Sequence, residues 1–147
     1  MEAGRILNRT MASEMRVRIA AVGVAAGVAF AVMDGLINAN PLAQQLYAVY
    51  RPIARESVNA PLGLTFDLVS GIVMAILFVA LAPALGAGWV KQGIGFGLVA
   101  WFFRVAMGAA SQAVMFQVPA AALVYTLLTG LAEMIALGLL YGALLKR

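Results

Sequence analysis

The chain has 147 residues, of which 64% are hydrophobic and only 11% charged, where soluble domains run at roughly 45 to 50% apolar and about 25% charged. With a mean hydropathy of +0.97, these proportions exclude both an ordinary soluble domain and a disordered chain, and the sequence reads as one all-α membrane domain over residues 1–147. No cysteine and no histidine occur, so there is no thiolate or imidazole for a metal, a haem or a nucleophile pair; the net charge of +4 gathers near the ends without interleaved aromatics, and no metal, cofactor or nucleic acid is expected.

A bilayer needs about 20 mainly apolar residues per spanning helix, because only a helix satisfies its own backbone groups in hydrocarbon. Residues 1–16 read as a short polar arm. The first span follows over 17–38; it is too long, and too interrupted by Asp34, for a cleaved secretory signal. Gly23, Gly27, Asp34 and Asn38 share one of its faces. Asn40-Pro41 then signals a helix start. Leu42, Leu46, Val49, Tyr50 and Ile53 recur at helical spacing, which predicts a short amphipathic helix over 41–55 in the membrane interface, either a cap on the bundle or a lid or docking element.

The second span runs over 62–85, with Asp67, Ser70, Gly71 and Met74 on one face. A tight loop from Pro83 to Gly88 leads to the third span, 92–116, on which Gly93, Gly97, Arg104, Gly108 and Ser111 line up. Trp101, Phe102 and Phe103 flank Arg104 and are expected at the lipid. The link at 117–119 is so short that the third and fourth helices must form an antiparallel hairpin. The fourth span, 119–145, carries Thr126, Gly130 and Glu133 on one face, and Tyr125 and Tyr141 near its ends as interfacial belts. Placing both termini in the cytoplasm puts Arg5, Arg9, Arg16, Arg18, Lys91, Lys146 and Arg147 inside and only Arg51 and Arg55 outside, so a four-helix bundle with both ends cytoplasmic is expected.

An ionisable group at the bilayer centre costs at least ~2.5 to 3.5 kcal/mol and demands a partner or a water-filled cavity. Arg104 and Glu133 stand at matching heights in the hairpin, each roughly 18 Å from its outer face at 1.5 Å per residue. An intramembrane ion pair between them is predicted, as a folding clamp or as a gate. Asp34 and Asp67 lie roughly 6 to 9 Å below the same surface. Either they face each other and, with Asn38, Ser111 and Gln112, form an outward polar pocket, or they cap helix ends and meet Arg51 and Arg55. Gly23, Gly27, Gly71, Gly93, Gly97, Gly108 and Gly130 are expected to let helices approach closely. Met33, Met74, Met107, Met115 and Met134 read as gap-filling or lipid-facing residues.

Met33-Asp34-Gly35 at the end of the first helix, Pro83, Gly86 and Gly88 after the second, the glycine-rich start leading to Trp101, and Glu133, Gly138 and Tyr141-Gly142-Ala143 in the fourth together form a pattern. It resembles a loose group of small, uncharacterised four-helix bacterial inner-membrane proteins. The resemblance implies a four-helix fold in the bacterial inner membrane and carries over no activity and no site. Three functions are expected in turn. The first is a non-catalytic accessory or assembly subunit, whose partners are membrane lipid and other membrane proteins or copies of itself. The second is an oligomeric proton- or ion-coupled transporter using Arg104, Glu133, Asp34 and Asp67. The third is a lipid-modifying enzyme with Asp34 and Asp67 as an acid/base pair. No phosphate loop or activated nucleophile accompanies that pair, so no enzyme is expected.

Overall fold

The computed structural model describes residues 2–145, and side chains from Ser13 onward. Its elements are helices throughout the described residues. They are α1 (Glu2–Ala39), α2 (Pro41–Leu46) running into a 3-10 turn (Tyr47–Ile53), α3 (Ala60–Leu81) with a 3-10 end (Ala82–Leu85), α4 (Trp89–Trp101), a π turn (Phe102–Ala106), α5 (Met107–Met115) and α6 (Ala120–Leu144). Four stretches are long and apolar enough to cross a membrane, Ser13–Ala39, Ala60–Leu85, Trp89–Met115 and Ala120–Leu144. They match the expected spans to within a few residues. The expected polar arm is instead helical backbone continuous with α1. The side chains of Arg5, Arg9, Lys146 and Arg147, on which the orientation partly rests, lie outside the described residues.

The four spans pack as two antiparallel pairs, α1 on α3 and α4 on α6, joined chiefly through α1 and α6. Glycine makes each pair possible. A Cβ on Gly23 or Gly27 would stand 2.7 Å from the Ile72 or Leu68 Cα of α3, and one on Gly71 would strike the Gly23 carbonyl. In the second pair, Gly93 and Gly97 face Gly138 and the Met134 carbonyl, and Gly142 backs onto Trp89. Such close approach supplies the van der Waals contact that holds helices together where the hydrophobic effect gives little between them. Gly130 accommodates the Val105 side chain; Gly108 has open space around it and serves no packing role, contrary to expectation.

At the end of the bundle away from α2 the interior is apolar. Phe78, Phe96 and Tyr141 pack there with ring centroids 5.4 to 6.0 Å apart, Phe96 edge-on to the other two, in one cluster with Met134 and Leu137. Tyr141, expected in an interfacial belt, is fully buried, and its hydroxyl donates to the Gly71 carbonyl at 2.9 Å, tying one pair to the other. The reason is local. Its ring packs between Phe78 and Phe96, and its hydroxyl finds an acceptor on α3. Trp101, expected at the lipid, likewise turns inward and donates from Nε1 to the Leu127 carbonyl at 2.9 Å. Arg18 donates through Nε and Nη2 to the Leu144 carbonyl at 3.0 and 2.7 Å, satisfying a carbonyl left over at the C-terminus of α6.

Candidate functional site

The opposite end of the bundle holds a polar cavity of about 260 Å³. Its wall takes Phe30, Asp34, Ile37 and Asn38 from one face of α1, Arg104 and Val105 from the π turn, Gly108, Ala109 and Gln112 from α5, and Thr126, Thr129, Gly130 and Glu133 from α6. Tyr47 reaches in from the connection after α2. Asn40 caps α2 by accepting from the Ala43 amide at 3.0 Å, with Pro41 in the first turn, as its sequence signal predicts.

A belt of tyrosines fixes this connection over the cavity. The Tyr125 hydroxyl donates to the Ile37 carbonyl at 2.9 Å and accepts from Asn40 Nδ2 at 2.7 Å, so this residue is a clasp between α1 and α6 and not the free interfacial anchor expected. Thr126 gives its hydroxyl proton to the Ala122 carbonyl at 3.0 Å, which leaves its oxygen to accept from the Tyr47 hydroxyl at 2.9 Å. Burial pushes the Tyr47 phenol above its ordinary 10.0, against the opposing effect of its bond to Thr126, so the phenol keeps its proton at neutral pH. Tyr50 donates to Gln112 Oε1.

The predicted pairing of Arg104 with Glu133 does not form. Both side chains line the cavity, but Arg104 donates from Nη1 to the Ser70 hydroxyl at 3.3 Å and lies over the Phe30 ring, 4.5 Å from its centroid. Glu133 is 8% exposed and its Oε1 has no hydrogen-bond partner. The π turn explains the difference. On a regular α-helix Arg104, seven residues after Gly97, would return to within about 20° of that glycine and face α6. The wider turn, with i→i+5 bonding, carries it round toward α1 and α3 instead.

The expected outer pocket is assembled in part. Asp34 and Asn38 line the cavity, with Asn38 Nδ2 donating to the Asp34 carboxylate at 2.9 Å, and Gln112 joins them. Asp67, half-buried on α3, and Ser111, exposed and donating to Met115 Sδ at 3.9 Å, stand outside the cavity wall. Thr126, placed on the Glu133 face by its spacing, does line the cavity; Tyr47 and Thr129 carry no such signal, because nothing in their spacing separates a cavity-facing hydroxyl from one turned back on its own helix. Among the described residues no group of three or more His, Cys, Asp or Glu is gathered to hold a metal ion. What the wall offers is one guanidinium, two carboxyl groups and a ring of neutral donors and acceptors. This set can hold a small charged group and exchange a proton with it.

No family model, no curated protein and no solved structure matches this chain.

Proposed function

We propose that the protein is a proton- or ion-coupled membrane carrier whose binding site is the cavity between α1, the π turn and α6. The observation that carries this reading is Glu133, a carboxyl buried at mid-span without a hydrogen bond to Oε1 in the wall of a polar cavity. A folding clamp would pair it with Arg104, since an unpaired charge in the membrane interior is among the most costly arrangements a chain can keep. An accessory subunit holding partner helices would turn its charges toward the partner, whereas this one lines a cavity made by the chain's own helices. No covalent chemistry is proposed.

In this reading Glu133 alternates between proton-loaded and ligand-facing states, Asp34 and Arg104 set the local charge, and the tyrosine-pinned connection covers the site. The connection lies in the outer interface, with both termini in the cytoplasm of a bacterial inner membrane. The test is proton flux in liposomes carrying the purified protein. Glu133→Gln is expected to abolish flux while the protein accumulates and keeps its helicity, and Glu133→Asp to retain part of it. Undiminished flux in Glu133→Gln, or no flux in the wild type, sinks the proposal.

A further inference from the structure

Beside the polar cavity lies a second chamber of opposite character, with Arg104 in the wall between them. Between α3 and α4, whose backbones stay apart and which meet through the Phe78 and Phe96 rings, runs a groove of about 390 Å³ lined by Met74, Leu77, Leu81, Phe96, Val99 and Phe103. From Met74 to Leu81 the groove extends about 10 Å along α3, at 1.5 Å per residue, away from the end where α2 lies. A line drawn from groove to cavity therefore meets hydrocarbon first, then a guanidinium, then the carboxyls of Glu133 and Asp34.

We propose that the two chambers together bind an amine-bearing zwitterionic phospholipid, with one hydrocarbon chain in the α3/α4 groove, its phosphate on Arg104 and its primary ammonium on Glu133 and Asp34. The order of chemical groups in such a lipid, chain then phosphate then ammonium, is the order of the walls. Arg104 suits the phosphate, because a guanidinium presents a planar fork of donors to phosphate oxygens and its present partners are a neutral hydroxyl at 3.3 Å and an aromatic face. The unpartnered Glu133 Oε1 is an acceptor waiting for an N–H donor. A phosphoglycerol head offers no cation to it, and a quaternary ammonium offers no N–H. The polarity also agrees, since head toward α2 and chain away from it is the ordinary orientation of a lipid in the α2-side leaflet, drawn deeper. The open face between α3 and α4 gives such a lipid lateral entry and leaves room in the bilayer for a second chain. This inference rests on the carrier reading for its meaning, as the substrate class of that same site, but the binding is measurable by itself.

The experiment is a native mass-spectrometric titration of the full-length protein in maltoside micelles. The probes are single-chain lysophosphatidylethanolamine, lysophosphatidylglycerol of equal chain length, and soluble phosphoethanolamine without a chain. The ethanolamine lysolipid is expected to bind at least tenfold more tightly than the glycerol lysolipid and than the chainless head. Equal binding of the two lysolipids overturns the headgroup assignment, and equal binding of the chainless head overturns the groove. Leu77→Trp, which fills the groove, and Arg104→Gln, which removes the phosphate's partner, are each expected to weaken the ethanolamine lysolipid at least tenfold. Unchanged binding in both variants also refutes the proposal; where a variant does not fold, the wild-type probe series decides. Selective binding without Glu133-dependent flux retains the lipid site and removes the carrier, whereas flux without selective binding does the reverse.

Discussion

At the scale of single residues, the polar side chains that matter in this protein are distinguished by whether their hydrogen-bonding capacity is filled. Tyr141 and Trp101 donate to backbone carbonyls on other helices, as buried tyrosine and tryptophan usually must. Glu133 is left with an open acceptor. The Gly71 carbonyl bonded by Tyr141 also belongs to a helix interior, so Tyr141→Phe removes one donor without stranding a charge. A loss of about 0.5 to 1.5 kcal/mol is expected, read as a lower midpoint in denaturant-titrated micelles with flux unchanged. A larger loss would mean that the bond carries more of the fold than one neutral hydrogen bond, and lost flux at intact stability would place Tyr141 in the mechanism. The residue types were legible from the sequence: each tyrosine and each mid-span charge is visible in it. Their partners were not, because a phenol near a helix end points to the interface or the core according to which neighbour offers an acceptor.

At the scale of elements, two features set the geometry. The first is the glycine seam. A methyl at Gly71 would meet the Gly27 amide nitrogen at 2.5 Å and its Cα at 2.7 Å, contacts with rigid backbone that only a separation of α1 from α3 relieves. Gly71→Ala is therefore expected to destabilise by about 1 to 3 kcal/mol, in the range of core overpacking, whereas Gly108→Ala, with open space around it, is expected to be neutral or slightly stabilising as a helix interior gains an alanine. Equal effects in a thermal-melt comparison would contradict the seam. The Gly-x-x-x-Gly spacing on the first and third helices announced it, and Gly138 and Gly142 repeat that spacing on the fourth. The second feature is the π turn. Deleting Ala106 is expected to restore a regular helix and return Arg104 to the Gly97 face, where it meets Glu133. The predicted signature is retained helicity with lost proton flux. Flux at the wild-type level would show that Arg104's position off that face is immaterial. Nothing in the run Phe102-Phe103-Arg104-Val105-Ala106 marks such a turn, which depends on one extra residue accommodated between two packed stretches.

At the scale of the whole molecule, the chain is two glycine-sealed hairpins meeting mainly through α1 and α6, with an apolar plug at one end and a charged cavity at the other. The backbones of α3 and α4 stay apart, so relative motion of the hairpins is opposed there mainly by the Phe78–Phe96 ring contact and is expected to accompany transport. The absence of native cysteine allows this to be tested directly. In a Leu77→Cys, Val99→Cys double variant, both positions line the gap, and bridging them with a short reducible cross-linker is expected to slow Glu133-dependent flux several-fold, with recovery on reduction. Flux indifferent to the cross-link would show that the hairpins need not move. Composition and hydropathy by themselves determined the membrane class, the four spans and the hairpin of the last two, because the backbone's need for internal hydrogen bonds in hydrocarbon is met by helices of nearly fixed length. The position of each charge along its helix also followed from counting residues along an axis. Which charges meet was decided only by the tertiary structure, because azimuth depends on every turn between two residues, and a single π turn rotated Arg104 away from the partner that its height had assigned to it.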